Sequence, residues 1–191
     1  MHKYIHDLPL AAVQICWVTA AVALMLAGFD VINVPDGQLL TVAEHLGMSM
    51  MYAGCTNLLV YYFNKHEIHG SRWLLADGMA TALLSIFPLF NKMIISVVVP
   101  IFFGIWELFL GIIKFIESTE LKEERIRGWK IFLLIGTIEI VSGVASLIKP
   151  VEDFVGMNHV IAIILFVQCV GYIFKMIYYN NLVLNKTEDE K

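Results

Sequence analysis

Long apolar stretches alternate with short polar ones along the chain, and the break points predict six helices. They cover about 8–29, 39–63, 73–90, 93–117, 129–149 and 157–179. Runs of about 18–25 apolar residues suit a hydrocarbon core of about 30 Å. The first run stops at Asp30, where Asn33-Val34-Pro35-Asp36-Gly37 supplies turn chemistry. The second gives way to the polar stretch NKHEIHGSR at 64–72, and the third ends near Phe87-Pro88, before a tight turn at 89–92. The fourth carries Pro100, which a membrane helix tolerates when neighbours satisfy the freed carbonyl. It runs into STELKEERIR at 118–127, the most charged segment, part of which suits a short surface helix. The fifth ends at Pro150, and the polar tail after 179 is expected to fray. Trp73 and Trp129 open helices, while Tyr61-Tyr62 and Tyr178-Tyr179 close them, as aromatics do at the headgroup level.

Composition sharpens this picture. Only 16% of the 191 residues are charged, whereas a soluble domain carries about a quarter. With a mean hydropathy of +0.74, the expected class is all-α: one polytopic membrane domain over 1–191 with six transmembrane helices. The run 8–29 exceeds a signal-peptide core and lacks a cleavage site, so it reads as a retained span. Cys16, Cys55 and Cys169 all fall inside apolar runs. An odd number without motif spacing argues against a disulfide framework or a zinc site, and makes them small buried hydrophobes.

Charge sets the orientation. With both termini cytoplasmic, eleven of the thirteen lysines and arginines fall on the inner side, and only Lys92 and Lys149 lie outside. That is a strong positive-inside bias. The outer connections instead carry Asp30, Asp36, Glu44, Glu152 and Asp153.

The chain also repeats itself. Gly136, Glu139 and Gly143 project from one side of a helix, and Gly104, Glu107 and Gly111 reproduce the spacing. Gly47, Met50 and Gly54 do so with the acid replaced. Eleven residues before the helix-ending prolines 35, 88 and 150 stand Leu24, Asp77 and Glu139; seven before them stand Gly28, Thr81 and Gly143. The third even helix offers a weaker counterpart, Val167 before Gly171. The repeat therefore predicts three helical hairpins, 8–63, 73–117 and 129–179. In lipid, helices associate by close packing, so the six glycines 47, 54, 104, 111, 136 and 143 are the expected contact residues: Gly47, Gly54, Gly104, Gly111, Gly136 and Gly143.

Three segments carry a family likeness: Trp73-Leu-Leu-Ala-Asp77-Gly78, Gly104-Ile-Trp106-Glu107-Leu-Phe-Leu-Gly111-Ile, and Gly136-Thr-Ile-Glu139-Ile-Val-Ser-Gly143 ending in Pro150. In order and spacing the chain resembles the HdeD family of acid-resistance membrane proteins over most of 10–180. The resemblance implies a six-span protein of a bacterial cytoplasmic (inner) membrane that serves the acid-stress response. The first hairpin matches least, because Leu24 and Met50 stand where the later units carry acids.

Asp77, Glu107 and Glu139 are the foremost candidates for chemistry. A charge at mid-bilayer costs about 2.5–3.5 kcal/mol on insertion scales, which favours neutral acids facing protein. They form either a proton-responsive cluster between helices or plain interhelical glue, bonded to Ser142, Thr81, Thr137 or a backbone carbonyl. Lys114 and Lys175 read as snorkelling to the inner interface, with Lys114 also two turns from Glu107. His45 and His159 lie just inside the outer helix ends and serve as weaker candidates for an acid sensor, or as ordinary interfacial residues. His66 and His69 lack the further ligands a metal needs. No phosphate loop, nucleophile elbow, HExxH or CxxC occurs, and no basic surface suits nucleic acid. The expected protein is non-enzymatic, without cofactor or metal, its partners the lipid bilayer and other helices or copies of itself. Three functions fit: an acid-resistance protein, a small transporter or channel, and a helix-packing scaffold.

Overall fold

The computed structural model describes residues 10–35, 38–64, 71–90, 95–123, 128–148 and 156–189. Six helices account for nearly all of them, and no strand occurs among the described residues. They are α1 (Leu10–Asn33), α2 (Leu39–Asn64), α3 (Ser71–Phe90), α4 (Ile95–Glu123), α5 (Trp129–Ile148) and α6 (Met157–Asp189). Two ends depart from expectation, those of α4 and α6. Pro88 lies inside α3, whose last turn continues to Phe90. α4 carries straight on through the first part of the charged segment, and α6 extends well beyond Tyr179. Lys92, Lys149, Pro150, Glu152, Asp153, His66 and His69 lie outside the described residues.

Among the described residues four helices, not six, are long and apolar enough to cross a membrane: Ala11–Asn33, Arg72–Phe90, Trp129–Ile148 and Asn158–Tyr178. The other two are the more polar. α2 carries Glu44, His45, Ser49, Thr56 and Asn57, and α4 carries Glu107, Lys114 and Glu117. Most of this polarity turns inward: Ser49, Thr56, Asn57, Glu107 and Lys114 are all buried. Outward faces are greasy instead, with Ile15, Leu26, Leu83, Phe109, Leu134, Val141 and Ile163 all exposed. Apolar outside and polar within is the arrangement that lipid selects.

Every helix buries one stripe at three- and four-residue spacing. On α1 it is wholly apolar: Val13, Trp17, Ala20, Leu24 and Val31. On α3 it reads Leu74, Asp77, Thr81 and Ser85, and on α6 Ile161, Leu165, Gln168, Tyr172 and Lys175.

The closest packing does not follow the expected hairpins. α4 with α5, α2 with α3 and α1 with α6 make the extensive contacts; α1 with α2 and α3 with α4 pack less, and α5 with α6 least. Each tight seam therefore joins one hairpin to the next, and α1 against α6 closes the ring. Glycine explains the choice. A Cβ on Gly111 would stand 2.6 Å from Ile140 Cγ1 and 2.8 Å from the Gly136 carbonyl oxygen; on Gly143, 2.8 Å from the Gly104 oxygen. A Cβ on Gly54 would stand 2.6 Å from the Ala82 backbone nitrogen, and one on Gly47 would meet the Leu89 and Pro88 side chains. At Gly54, Gly111 and Gly143 facing backbone atoms come this close, so these positions of the α2–α3 and α4–α5 seams leave no room for a side chain. At α1–α6 the filler is aromatic: Phe166 lies over Gly28 and meets the edge of Phe29 at 5.2 Å.

The three cysteines separate. Cys169 is buried, but Cys16 is half-buried and Cys55 exposed, since only the first stands on an inward stripe.

Candidate functional site

The inward stripes of α2 to α6 meet in a layer of buried polar and charged side chains. α3 supplies Asp77, α4 Glu107 and Lys114, α5 Glu139, α6 Gln168, Tyr172 and Lys175, and α2 Asn57; all are buried. The structure brings the three predicted acids into this one layer, although on three different helices. Two of them, Asp77 and Glu139, are not kept as isolated neutral acids. Lys175 Nζ donates to Asp77 Oδ2 at 2.6 Å. Lys114 Nζ donates to Glu139 Oε1, and to Gln168 Oε1 at 2.9 Å. Gln168 Nε2 in turn donates to Glu139 Oε1 at 2.9 Å.

Lys114 and Lys175 thus do not snorkel. They are 2% and 7% exposed, with their ammonium groups inside the bundle. The physical reason is mutual need: a buried acid and a buried lysine each cost several kcal/mol alone, and each supplies what offsets the other. Lys175 also lies over the Tyr172 ring, 5.4 Å from its centroid.

Hydroxyls and amides complete the layer. Thr81 Oγ1 donates to Asp77 Oδ1 at 3.2 Å and accepts from Trp106 Nε1 at 3.2 Å. Asn57 Nδ2 donates to the Tyr172 hydroxyl at 2.8 Å, which donates to the Ala53 carbonyl at 3.2 Å. Ser142 Oγ lies 3.2 Å from Glu107 Oε2 and 3.0 Å from its own helix's Glu139 carbonyl. Thr137 takes no part: it is exposed and bonds the Leu133 carbonyl at 2.8 Å. Of the expected glue residues, then, two serve acids and one faces outward.

The weaker candidates stay apart from this layer. His45 is half-buried; its Nδ1 donates to the Thr41 carbonyl at 2.8 Å, and its Nε2 is 3.6 Å from Asp30 Oδ2. His159 is exposed in the first turn of α6. Among the described residues no group of His, Cys, Asp or Glu suits a metal ion. All six predicted packing glycines sit within the tight seams rather than in the layer itself.

Sequence reasoning missed Lys114, Gln168, Lys175 and Asn57 as members of the site, yet a spacing pointed to them. Met50 and Asn57, Glu107 and Lys114, and Gln168 and Lys175 are each seven residues apart, two turns along one face. Gln168, not Val167, is therefore the α6 counterpart of Glu107. In this register Lys114 of the second hairpin pairs with Glu139 of the third. By the same rule Asn57 would meet Asp77, and Lys175 would meet Leu24. One of those positions lacks its cation and the other its acid, and the two leftover charges pair with each other.

A family model described as a short repeat of unknown function (DUF308) matches residues 19–87 and again 76–148. Each match begins in an odd helix and ends in the next odd one, so each contains one hairpin and the glycine seam that follows it. No curated protein and no solved structure matches the chain.

Proposed function

The chain belongs to the DUF308 family of short repeats, the family that contains HdeD-like membrane proteins, and on that footing we propose a non-enzymatic, six-span membrane protein of the HdeD type. In this reading it lies in a bacterial inner membrane with both termini cytoplasmic, and supports survival in acid. α2 and α4 cross the bilayer with the other four helices, their polar residues shielded by neighbours. The observation that carries the reading is the enclosed charged layer: two lysines and three acids at the centre of a bundle with a greasy outer face. Proteins rarely keep such groups in lipid without using them. Acid would load a proton onto this layer and shift how the hairpins pack.

The test is survival of a deletion strain after acid challenge, complemented with the native gene or with Glu107→Gln, Asp77→Asn and Glu139→Gln variants. Loss of survival on deletion, restored by the native gene but not by the acid variants, supports the proposal. Unchanged survival on deletion removes it.

A small transporter remains the second reading, favoured by the extent of the buried polar residues. They reach from Ser49, Ser85 and Ser146 through the charged layer to Asn64 and Ser118. Proton flux into proteoliposomes that disappears in Glu107→Gln would favour it; flux indifferent to all three acids would not.

A further inference from the structure

The charged layer does not balance. Lys114 and Lys175 face three acids, and both lysines are taken: Lys175 by Asp77, Lys114 by Glu139 and Gln168. Glu107 is left over. It is 0% exposed; its Oε2 has the Ser142 hydroxyl at 3.2 Å, and the neutral Gln168 amide also acts on the carboxyl. Its Oε1 is buried with no hydrogen-bond partner among the described residues. Among the described residues the surroundings offer no further cation. α5 presents Glu139, which is itself an acid; α3 presents Asp77, already paired; α6 presents Gln168 and Tyr172, besides the committed Lys175. α2 places Met50 at the counterpart position, and α4 itself contributes Lys114 and, nearly three turns beyond Glu107, Glu117, another acid, which acts on Lys175.

Ser142 and Ser146 continue the Glu139 stripe by one and two turns toward the end of α5 at Ile148. Ser146 is 7% exposed, and among the described residues its Oγ is likewise buried without a partner. A hydroxyl can accept and donate, so the pair makes a stepping line from Glu107 to that end of the bundle. In the opposite direction along α4 stands Lys114, two turns from Glu107, and a fixed positive charge repels an arriving proton.

We propose that Glu107 is the one carboxyl of the layer that binds and releases a proton. It exchanges with the side of the membrane where α5 ends, by way of Ser142 and Ser146. Lys114 closes the other direction. Asp77 and Glu139 are structural partners of the two lysines and keep their pairs. The inference rests on the membrane, proton-responsive reading above and narrows it to one group and one side.

The test uses the purified full-length protein in lipid nanodiscs. Infrared difference spectra between neutral and acidic buffer should show one protonated-carboxyl band, absent in Glu107→Gln and shifted in Glu107→Asp. Dicyclohexylcarbodiimide, which enters lipid and adds to protonated carboxyls, should modify Glu107 and spare Asp77 and Glu139 when peptides are mapped by mass spectrometry. This second arm uses the unaltered protein, so it stands even if a variant fails to fold. A band that survives in a folded Glu107→Gln variant, or modification falling on Asp77 or Glu139, overturns the proposal. In sealed right-side-out vesicles, the extent of modification should follow the pH on the side where α5 ends; dependence on the opposite side overturns the route. Neither readout depends on acid survival, so failure of the physiological role and failure of the proton site are separable.

Discussion

At the scale of single residues, the two lysines carry most of what holds the layer. Lys114 is bonded to both Glu139 and Gln168, so Lys114→Met leaves a buried acid beside an amide with no cation. Removing one partner of a buried pair costs about 3–5 kcal/mol, whereas replacing both by apolar residues of similar volume is often near neutral. Lys114→Met should therefore lower the melting temperature in detergent sharply, and Lys114→Met with Glu139→Met should recover most of the loss. A double variant as unstable as the single one would show that the pair is not the source. Gly128 is a second sensitive residue. It precedes α5 with φ of 106°, and the Tyr178 hydroxyl occupies the place a Cβ would take. Gly128→Ala meets both the backbone penalty and the ring. It should destabilise by about 1–3 kcal/mol, read as a lower detergent melting temperature and partly relieved by Tyr178→Ala.

At the scale of helices, the seams decide which pairs move as units. Gly111 and Gly143 touch backbone atoms of the facing helix, which cannot swing aside as a flexible side chain can. Gly171 on α6 has nothing nearer than Lys114 Cε at 3.6 Å. Alanine at Gly111 or Gly143 should thus cost about 1–3 kcal/mol by overpacking, while alanine at Gly171 leaves the melting temperature unchanged. Equal tolerance at all three positions would remove the close-contact account of the α4–α5 seam. The glycine pattern was plain in the sequence as a mark of close approach. Which helix lay across it was not, because a small-residue stripe specifies a partner's distance and says nothing of its identity.

At the scale of the whole molecule, α6 is the element on which the ring depends. It contributes Lys175 to Asp77, Gln168 to Lys114 and Glu139, and Tyr172 to Asn57, besides its long seam with α1. A chain ended after α5 would lose all of these at once and strand Asp77 inside lipid. It should fail to accumulate in the membrane fraction, and α6 supplied as a separate segment should rescue it. Accumulation of the shortened chain at the native level would argue that α6 is peripheral.

The alternation of apolar and polar runs sufficed for the all-helical class, the six helices and the repeat, because lipid leaves the backbone few other ways to satisfy its hydrogen bonds. It also singled out Asp77, Glu107 and Glu139, since acids in apolar runs are costly and therefore conspicuous. A lysine near a helix end was harder to read. Its long stem can either reach the interface or turn inward, and only the position of an acid on another helix chooses. The same holds for the hairpin packing and for the odd charge at Glu107. Both follow from which stripe meets which across the ring, a relation between residues that can lie more than a hundred positions apart, on which local periodicity is silent.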